Sequence, residues 1–209
     1  MSSYPAVKRV LDVTVSVILL VLLLPVFVML FVVMGIDMLR FGPDRGPWLY
    51  RETRISRGRE FELLKLRTLR RDVLTAMDEA SHARMLEAEA ENLTWAGRRL
   101  LKPWYLDELP QLWNILRGDM SLVGPRPWPP LLVASQVAKG FTYRNEFVAG
   151  WTGPAQVRKG VTETAGYAEL DLAYVSACVR SGPSQIVRED LRILWRTLGV
   201  MWKGEGLAY

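Results

Sequence analysis

The 209-residue sequence has one cysteine, Cys178, and one histidine, His82. A single thiol excludes an internal disulfide framework, and one Cys with one His leaves no Cys/His zinc site. Hydrolytic triads built on histidine lose most of their support for the same reason. Any metal has to be held by carboxylates, as Mg²⁺ or Mn²⁺ is. Glycine (16) and proline (12) are near average usage and no internal period is present, which removes collagen-like, low-complexity and repeat architectures. Half of the residues are hydrophobic and 23% charged, the balance of one ordinary domain with an added element. The net charge of +5 is an arginine excess suited to phosphate or an anionic surface.

Charge is missing altogether between Asp12 and Asp37. The run Val13 to Ile36 is rich in Val and Leu and, at ~1.5 Å per residue, long enough for a bilayer core of ~30 Å. It reads as a membrane element. A cleaved signal peptide is not expected, because the run is too long and no small-x-small site follows before Arg40. Pro25 lies near the middle, where it removes a backbone donor and crowds the carbonyl of Val21. A kinked spanning helix and a re-entrant hairpin hinged at Leu24-Pro25 are both consistent with this. The basic flanks, Lys8 and Arg9 before and Arg40, Arg45, Arg51, Arg54, Arg57 and Arg59 after, favour the hairpin, since both ends then stay cytoplasmic. Pro25→Ala is accordingly expected to favour a straight, spanning segment.

The rest predicts an α+β fold, mostly helical with a small β-hairpin or sheet. Residues 1–40 form the membrane helix with its basic flanks, and residues 41–209 a cytoplasmic domain. Apolar and basic residues alternate over Trp48 to Leu69 around Ser56-Arg57-Gly58, the pattern of strands or a hairpin. Asp72 to Leu93, free of Gly and Pro, reads as helical and solvated, with Asp78, Glu79, Glu87, Glu89, Glu91 and His82 on its surface. Near the C-terminus Ser184 can cap a helix to about Lys203. It has Val187, Leu191, Leu194, Leu198 and Met201 on one face and Arg188, Arg192 and Arg196 on another, with Trp195 and Trp202 beside the apolar side. Such a basic amphipathic helix suits an anionic membrane surface as well as a core contact.

The stretch Leu106 to Pro127, LDELPQLWNILRGDMSLVGPRP, carries the chemistry. Asp107 can cap a helix with Glu108 in its first turn, Leu109, Leu112, Trp113 and Leu116 inward, and Gly118 as the stop. Two carboxylates at a helix start can share one hard divalent cation, although on position alone a simple acidic cap is the commoner explanation. Gly124-Pro125-Arg126-Pro127 sets a guanidinium on a stiff loop, where its fork suits a phosphate. A carboxylate pair, a metal and an Arg are the parts of phosphoryl transfer. Lys65 and Arg67, alternating along the second strand, add positive charge or simply form a solvated strand face.

This stretch is similar to the signature of the bacterial sugar transferases known as monotopic phosphoglycosyl transferases. Lys8-Arg9 with Asp12, the Pro-broken segment, Lys65-Leu66-Arg67-Thr68-Leu69, Gly150-Trp151-Thr152-Gly153-Pro154-Ala155-Gln156-Val157, Leu170-Asp171 with Tyr174, and Lys203-Gly204-Glu205-Gly206 extend the resemblance in family order across nearly the whole chain. The resemblance implies a re-entrant membrane helix, amphipathic interfacial helices and a location at the cytoplasmic face of the bacterial inner membrane. It also implies a two-step reaction. Asp107 attacks the sugar-bearing phosphate of a nucleoside-diphosphate sugar, usually a UDP-sugar, releasing the nucleoside monophosphate, and a polyprenyl phosphate then takes the phospho-sugar to begin a lipid-linked glycan. Asp107 and Glu108 with Mg²⁺, and Arg126 on a phosphate, follow from the same resemblance, as do substrate contacts from Lys65, Arg67, Gln156 and Asp171. A carboxylate nucleophile needs no base, which accords with the scarcity of histidine.

The departures from the family pattern are Ser56 for Gly, Val148-Ala149 for Arg-Pro, Arg158-Lys159-Gly160 for Asn-Gly-Arg, and Lys102-Pro103-Trp104-Tyr105 before the acidic pair. Arg144 is assigned the place of the missing Arg. These departures bear on the sugar and nucleotide rather than on the reaction class. A catalytically idle, membrane-anchored adaptor is the competing class, and the intact Asp107-Glu108 pair argues against it. Nucleic-acid binding lacks any reader motif. Homo-oligomer formation and docking of downstream glycosyltransferases are left open.

Overall fold

A computed structural model describes residues 4–77, 83–158 and 164–202. The readings on Asp78, Glu79, His82, Lys159, Gly160 and Lys203-Gly204-Glu205-Gly206 lie outside the described residues. The fold is mostly helical with two small two-stranded sheets, as the α+β expectation has it.

The uncharged run forms two helices, α1 (Ala6–Leu22) and α2 (Leu24–Arg40), bent by 57°. The chain leaves helical geometry at Leu23 (φ −89°, ψ 2°), and Pro25 sits in the first turn of α2. Pro25 has no N–H for the carbonyl of Val21, while the bonds Leu23 to Leu19 (2.8 Å) and Phe27 to Leu23 (2.9 Å) carry the helix around the break. Among the described residues no single helix is long and apolar enough to cross a membrane, but this bent pair together is. Its outward positions, including Val10, Val21, Leu24, Val28, Val32 and Leu39, are all exposed, as a surface facing hydrocarbon would be.

Strands β1 (Leu49–Ser56) and β2 (Arg59–Leu66) pair as the expected hairpin. Their two-residue turn, Arg57 and Gly58, has φ of 52° and 71°, the left-handed pair that matches strand twist. The helical reading of Asp72 to Leu93 resolves into short pieces, α3 (Arg71–Ala76), α4 (Ala83–Glu87) and a 3₁₀ turn (Ala90–Asn92). Then come α5 (Gln111–Arg117), β3 (Ser121–Val123), α6 (Pro130–Ala138), α7 (Tyr143–Glu146), β4 (Gly150–Thr152), α8 (Thr164–Arg180) and α9 (Pro183–Trp202). Strands β3 and β4 are parallel, with Ser121 opposite Gly150 and Val123 opposite Thr152. Gly118, at φ 90°, ends α5 as expected. Trp113 points out rather than in, and Asn114 and Ile115 take the inward positions.

The chain divides into two compact units, residues 1–18, 52–63 and 111–209, and residues 19–51 and 64–110, a division that cuts across the boundary at residue 40. In the first unit the start of α1 is bonded into the interior. Lys8 Nζ pairs with Asp190 of α9 at 2.5 Å, Arg9 donates to the carbonyls of Ile115 and Leu116 at the end of α5, and Asp12 accepts from the amide of Leu122. The core-facing residues of α9 are Ile186, Asp190 and Ile193, whereas Leu191, Trp195 and Leu198 are exposed. The apolar face read from the sequence therefore turns outward at Leu191 and Leu198. In the second unit Asp37, near the end of α2, accepts from the amide of Ala96, and Trp48 packs edge-on against Phe31.

Candidate active site

The carboxylate pair belongs to the second unit. It follows a π-helical turn, Gly97–Leu101, closed by a bond from the amide of Lys102 to the carbonyl of Gly97 (3.0 Å). A Cβ at Gly97 would lie 2.5 Å from the carbonyl oxygen of Thr68, so only glycine permits this wide turn here. Tyr105 then adopts the left-handed region, φ 55°, which a bulky residue holds only where its surroundings impose it. Asp107 and Glu108 occupy the 3₁₀ turn Leu106–Glu108, one turn ahead of α5. Asp107 is therefore no cap of that helix. Its Oδ2 accepts instead from Lys102 Nζ at 2.9 Å.

Lys102 also donates to Glu87 Oε2 at 2.6 Å, and Glu87 Oε1 accepts from the Thr68 hydroxyl at 2.6 Å. Glu87 is thus not on the solvated acidic face that the sequence suggested. Asp107 is 1% exposed and Glu108 7%. Burial raises the Asp107 carboxyl to about 6; Lys102 opposes this, Glu108 adds to it, and Lys65 opposes it again. Burial also works against the Lys102 ammonium, but Asp107 and Glu87 hold it above its ordinary range. The outcome is a desolvated carboxylate steadied by two ammonium groups, Lys102 and Lys65, the first of which was not among the expected site residues.

The pair suits a hard divalent cation. Mg²⁺ takes one or two carboxylates and completes its shell with water and substrate phosphates. Among the described residues no group of three or more carboxylate, Cys or His ligands forms a cage, so a cation here would depend on substrate for further ligands. Two adjacent buried carboxylates are the donor set whose desolvated charge such a cation relieves.

Arg67 does not face solvent. It is 1% exposed, its Nε donates to Pro47 O (2.7 Å), Nη1 to Leu69 O (2.6 Å) and Nη2 to Asp44 O. A guanidinium spread over three backbone carbonyls staples these loops together.

The Arg126 loop belongs to the first unit and is stitched to the parallel strands. The amide of Gly124 donates to Thr152 O (2.9 Å) and that of Gly150 to Pro125 O (2.8 Å). A Cβ at Gly150 would fall 2.0 Å from Gly124 N, so two glycines let the backbones touch and bring Arg126 to the loop apex, half-exposed. Arg144 lies beneath this loop. Its Nη1 donates to Arg126 O, Nε to Gln136 Oε1 (2.9 Å) and Nη2 to Asp171 Oδ2 (3.1 Å), and it stacks 4.2 Å from the Trp128 ring centre. Asp171 also accepts from Tyr143 Oη (3.2 Å), and burial, offset by Arg144 and Tyr143, raises its carboxyl to about 6.

Arg144 and Asp171 thus brace the Arg126 backbone from inside. Gln156 is 1% exposed, and neither amide atom has a hydrogen-bond partner among the described residues. The atypical Ser56 accepts from the amide of Ala149 (3.1 Å) next to buried Val148, so these departures meet in the interior, while Arg158 is exposed.

A buried carboxylate pair steadied by an ammonium group is equipment for group transfer at phosphorus. Residues 3–204 match the family described as bacterial sugar transferase. The chain is 34% identical over 196 residues to the UDP-glucose:undecaprenyl-phosphate glucose-1-phosphate transferase of Caulobacter vibrioides, covering 91% of this chain and 68% of that protein. It is 32% identical over 182 residues to an undecaprenyl-phosphate glucose phosphotransferase of Komagataeibacter xylinus (81% and 32%). It is also 32% identical over 216 residues to a UDP-galactose-lipid carrier transferase of Erwinia amylovora (95% and 41%). The chain thus spans less than half the length of the latter two. It belongs to the bacterial sugar transferase family and is an enzyme of the phosphoglycosyl transferase class.

Proposed function

We propose that the enzyme moves a sugar-1-phosphate from a nucleoside-diphosphate sugar, of the UDP class, to polyprenyl (undecaprenyl) phosphate at the cytoplasmic face of the bacterial inner membrane. The product begins a lipid-linked glycan for an exopolysaccharide, O-antigen or glycoprotein. The observation that carries this reading is Asp107, a buried carboxylate with one oxygen on Lys102. Asp107 attacks the sugar-bearing phosphorus, the bond to the nucleoside monophosphate breaks, and UMP leaves with the electron pair. The phosphate of the polyprenol then takes the phospho-sugar from Asp107. Asp107 and Glu108 would hold Mg²⁺, which when bound would neutralise phosphate charge. The fork of Arg126 suits a phosphate of donor or acceptor, and Arg144 and Asp171 hold its backbone.

The test is nucleoside monophosphate release by the protein in lipid discs with Mg²⁺, polyprenyl phosphate and a panel of UDP-sugars. Release that requires both the lipid and the metal is expected, and the donor that supports it names the sugar. Release that continues without polyprenyl phosphate at the full multiple-turnover rate would indicate simple hydrolysis and defeat the reading.

Membrane placement belongs to the same proposal. The start of α1 is bonded to Ile115, Leu116, Leu122 and Asp190, residues that follow the membrane pair in sequence. A spanning α1–α2 would put them across the bilayer from α1's start unless the chain crossed again, and no other uncharged run exceeds 12 residues. These bonds support the re-entrant hairpin and revise the expectation for Pro25→Ala. The substitution restores one backbone bond, worth about 1 kcal/mol. Crossing would break the buried Lys8–Asp190 pair, at about 3–5 kcal/mol. Pro25→Ala alone should therefore leave the N-terminus cytoplasmic. Labelling a Ser2→Cys variant in intact cells checks this against a low background, because native Cys178 is buried. External labelling would show that the hinge, not the docking, sets the topology.

A further inference from the structure

We propose that Glu87 and Lys102 are positioning residues of the transfer, a two-link ionic tether that presents Oδ1 of Asp107 to phosphorus. This rests on the reading of Asp107 as nucleophile. Lys102 engages only Oδ2 of Asp107, at 2.9 Å. A carboxylate so held cannot spin freely, and its other oxygen is the one left to attack.

The ammonium is itself restrained. Glu87 Oε2 holds it at 2.6 Å, and the Thr68 hydroxyl fixes the other oxygen of Glu87 at 2.6 Å. Thr68 is in turn rigid, because its carbonyl accepts from the amide of Thr94 (2.8 Å) and packs against Gly97. The side chains are 11% exposed at Glu87, 28% at Lys102 and 2% at Asp107, so a part-exposed ammonium is held between two largely buried carboxylates.

The chemistry gives the second link its purpose. When Asp107 Oδ1 bonds to phosphorus and the nucleoside monophosphate departs with its bridging oxygen, no proton moves, but the charge of the carboxylate is lost to the mixed anhydride. Lys102 then loses its ionic partner on that side. Glu87 keeps the ammonium beside the newly placed phosphoryl oxygens, where it offsets their charge, instead of letting its flexible stem swing to water. Glu87 lies on α4, outside the motif that carries Asp107, so this chain supplies the tether from a separate element.

The test follows formation of the covalent phospho-sugar adduct by rapid-quench intact-mass analysis, with UDP-sugar and Mg²⁺ but no acceptor lipid. Lys102→Met should slow adduct formation about 100-fold and Glu87→Gln about 10-fold, with the donor KM changed less than about threefold. Lys102→Arg, which can still bridge both carboxylates, should restore the rate to within a few-fold. Because Glu87 acts through Lys102, Glu87→Gln should add no further loss in the Lys102→Met background. Independent, multiplying losses, or a wild-type rate in Glu87→Gln, overturns the tether. If Glu87→Gln does not fold, Thr68→Val replaces it, with a several-fold slowing expected and an unchanged rate again overturning the proposal. Failure of the wild-type protein to form any adduct fails the nucleophile reading instead, so the two outcomes are separable.

Discussion

Asp107→Asn should abolish turnover, by at least about 10³-fold, and leave the protein folded with a melting temperature equal to or above that of the wild type. The rate effect follows from chemistry: an amide oxygen does not form the phospho-sugar intermediate, and no other carboxylate but Glu108 stands beside it in the turn. The stability effect follows from burial. Burial pushes the Asp107 carboxyl up from its ordinary 3.8 to about 6, so ionising it costs stability at neutral pH. That direction sets the sign for this carboxyl; Lys102, which Asp107 and Glu87 together hold above its ordinary range, loses one ionic partner in the variant but keeps Glu87. Wild-type stability from this group is greatest below about 4 and is lost as pH rises through 6, so the advantage of Asn appears at neutral pH and vanishes in acid. Asn also keeps the hydrogen bond from Lys102. Activity runs the opposite way, falling as pH drops through about 6, and added Mg²⁺ should move that limb to lower pH by competing with the proton. Calorimetry and a pH–rate profile check both halves. Near-wild-type activity in Asp107→Asn would remove Asp107 from the role of nucleophile, and a fall in melting temperature of more than a few degrees would show that its charge stabilises the fold.

The parts legible in the sequence are those governed by local stereochemistry. Pro25 breaks the membrane run, Arg57-Gly58 turns the hairpin and Gly118 stops α5, because each rests on backbone preferences within a few residues. The acidic pair was legible as a motif but not as a geometry, since the left-handed Tyr105 and the π turn at Gly97 displace it from the helix cap. Lys102 and Glu87 were missed because their partner choices are tertiary: Glu87 lies 20 residues from Asp107 in a stretch whose composition reads as solvated. Arg67 illustrates a second blindness. An arginine in sequence looks like a surface charge or a phosphate ligand, and nothing local says that three carbonyls will enclose it. In α9 the hydrophobic period pointed to the outward face because the inward one carries Asp190, whose buried charge is offset by Lys8, 182 residues away.

That pair yields the largest expected effect on stability. Lys8→Met should cost about 3–5 kcal/mol, because it leaves the Asp190 carboxylate buried with its counter-charge gone. The two side chains are 0% and 1% exposed at 2.5 Å, Tyr174 Oη donates to Asp190 Oδ1 at 2.6 Å, and the Lys8 ammonium lies 5.7 Å from the Tyr174 ring centre. For a chain of this size the loss corresponds to roughly 10 °C in melting temperature. The double variant Lys8→Met/Asp190→Asn should recover most of it, since a neutral amide still accepts from Tyr174 and no buried charge remains. A double variant no better than Lys8→Met would mean that packing by the lysine stem, rather than charge, holds the start of α1. The same bond carries the topology argument. Once Lys8→Met has removed it, the restored backbone bond of Pro25→Ala meets less opposition, so the combined variant Lys8→Met/Pro25→Ala should expose a cysteine at position 2 to external labelling in some of the molecules, although neither substitution does so alone. Complete protection in that combined variant would show that Arg9 and Asp12, through Ile115, Leu116 and Leu122, suffice to hold both ends of the hairpin on one face.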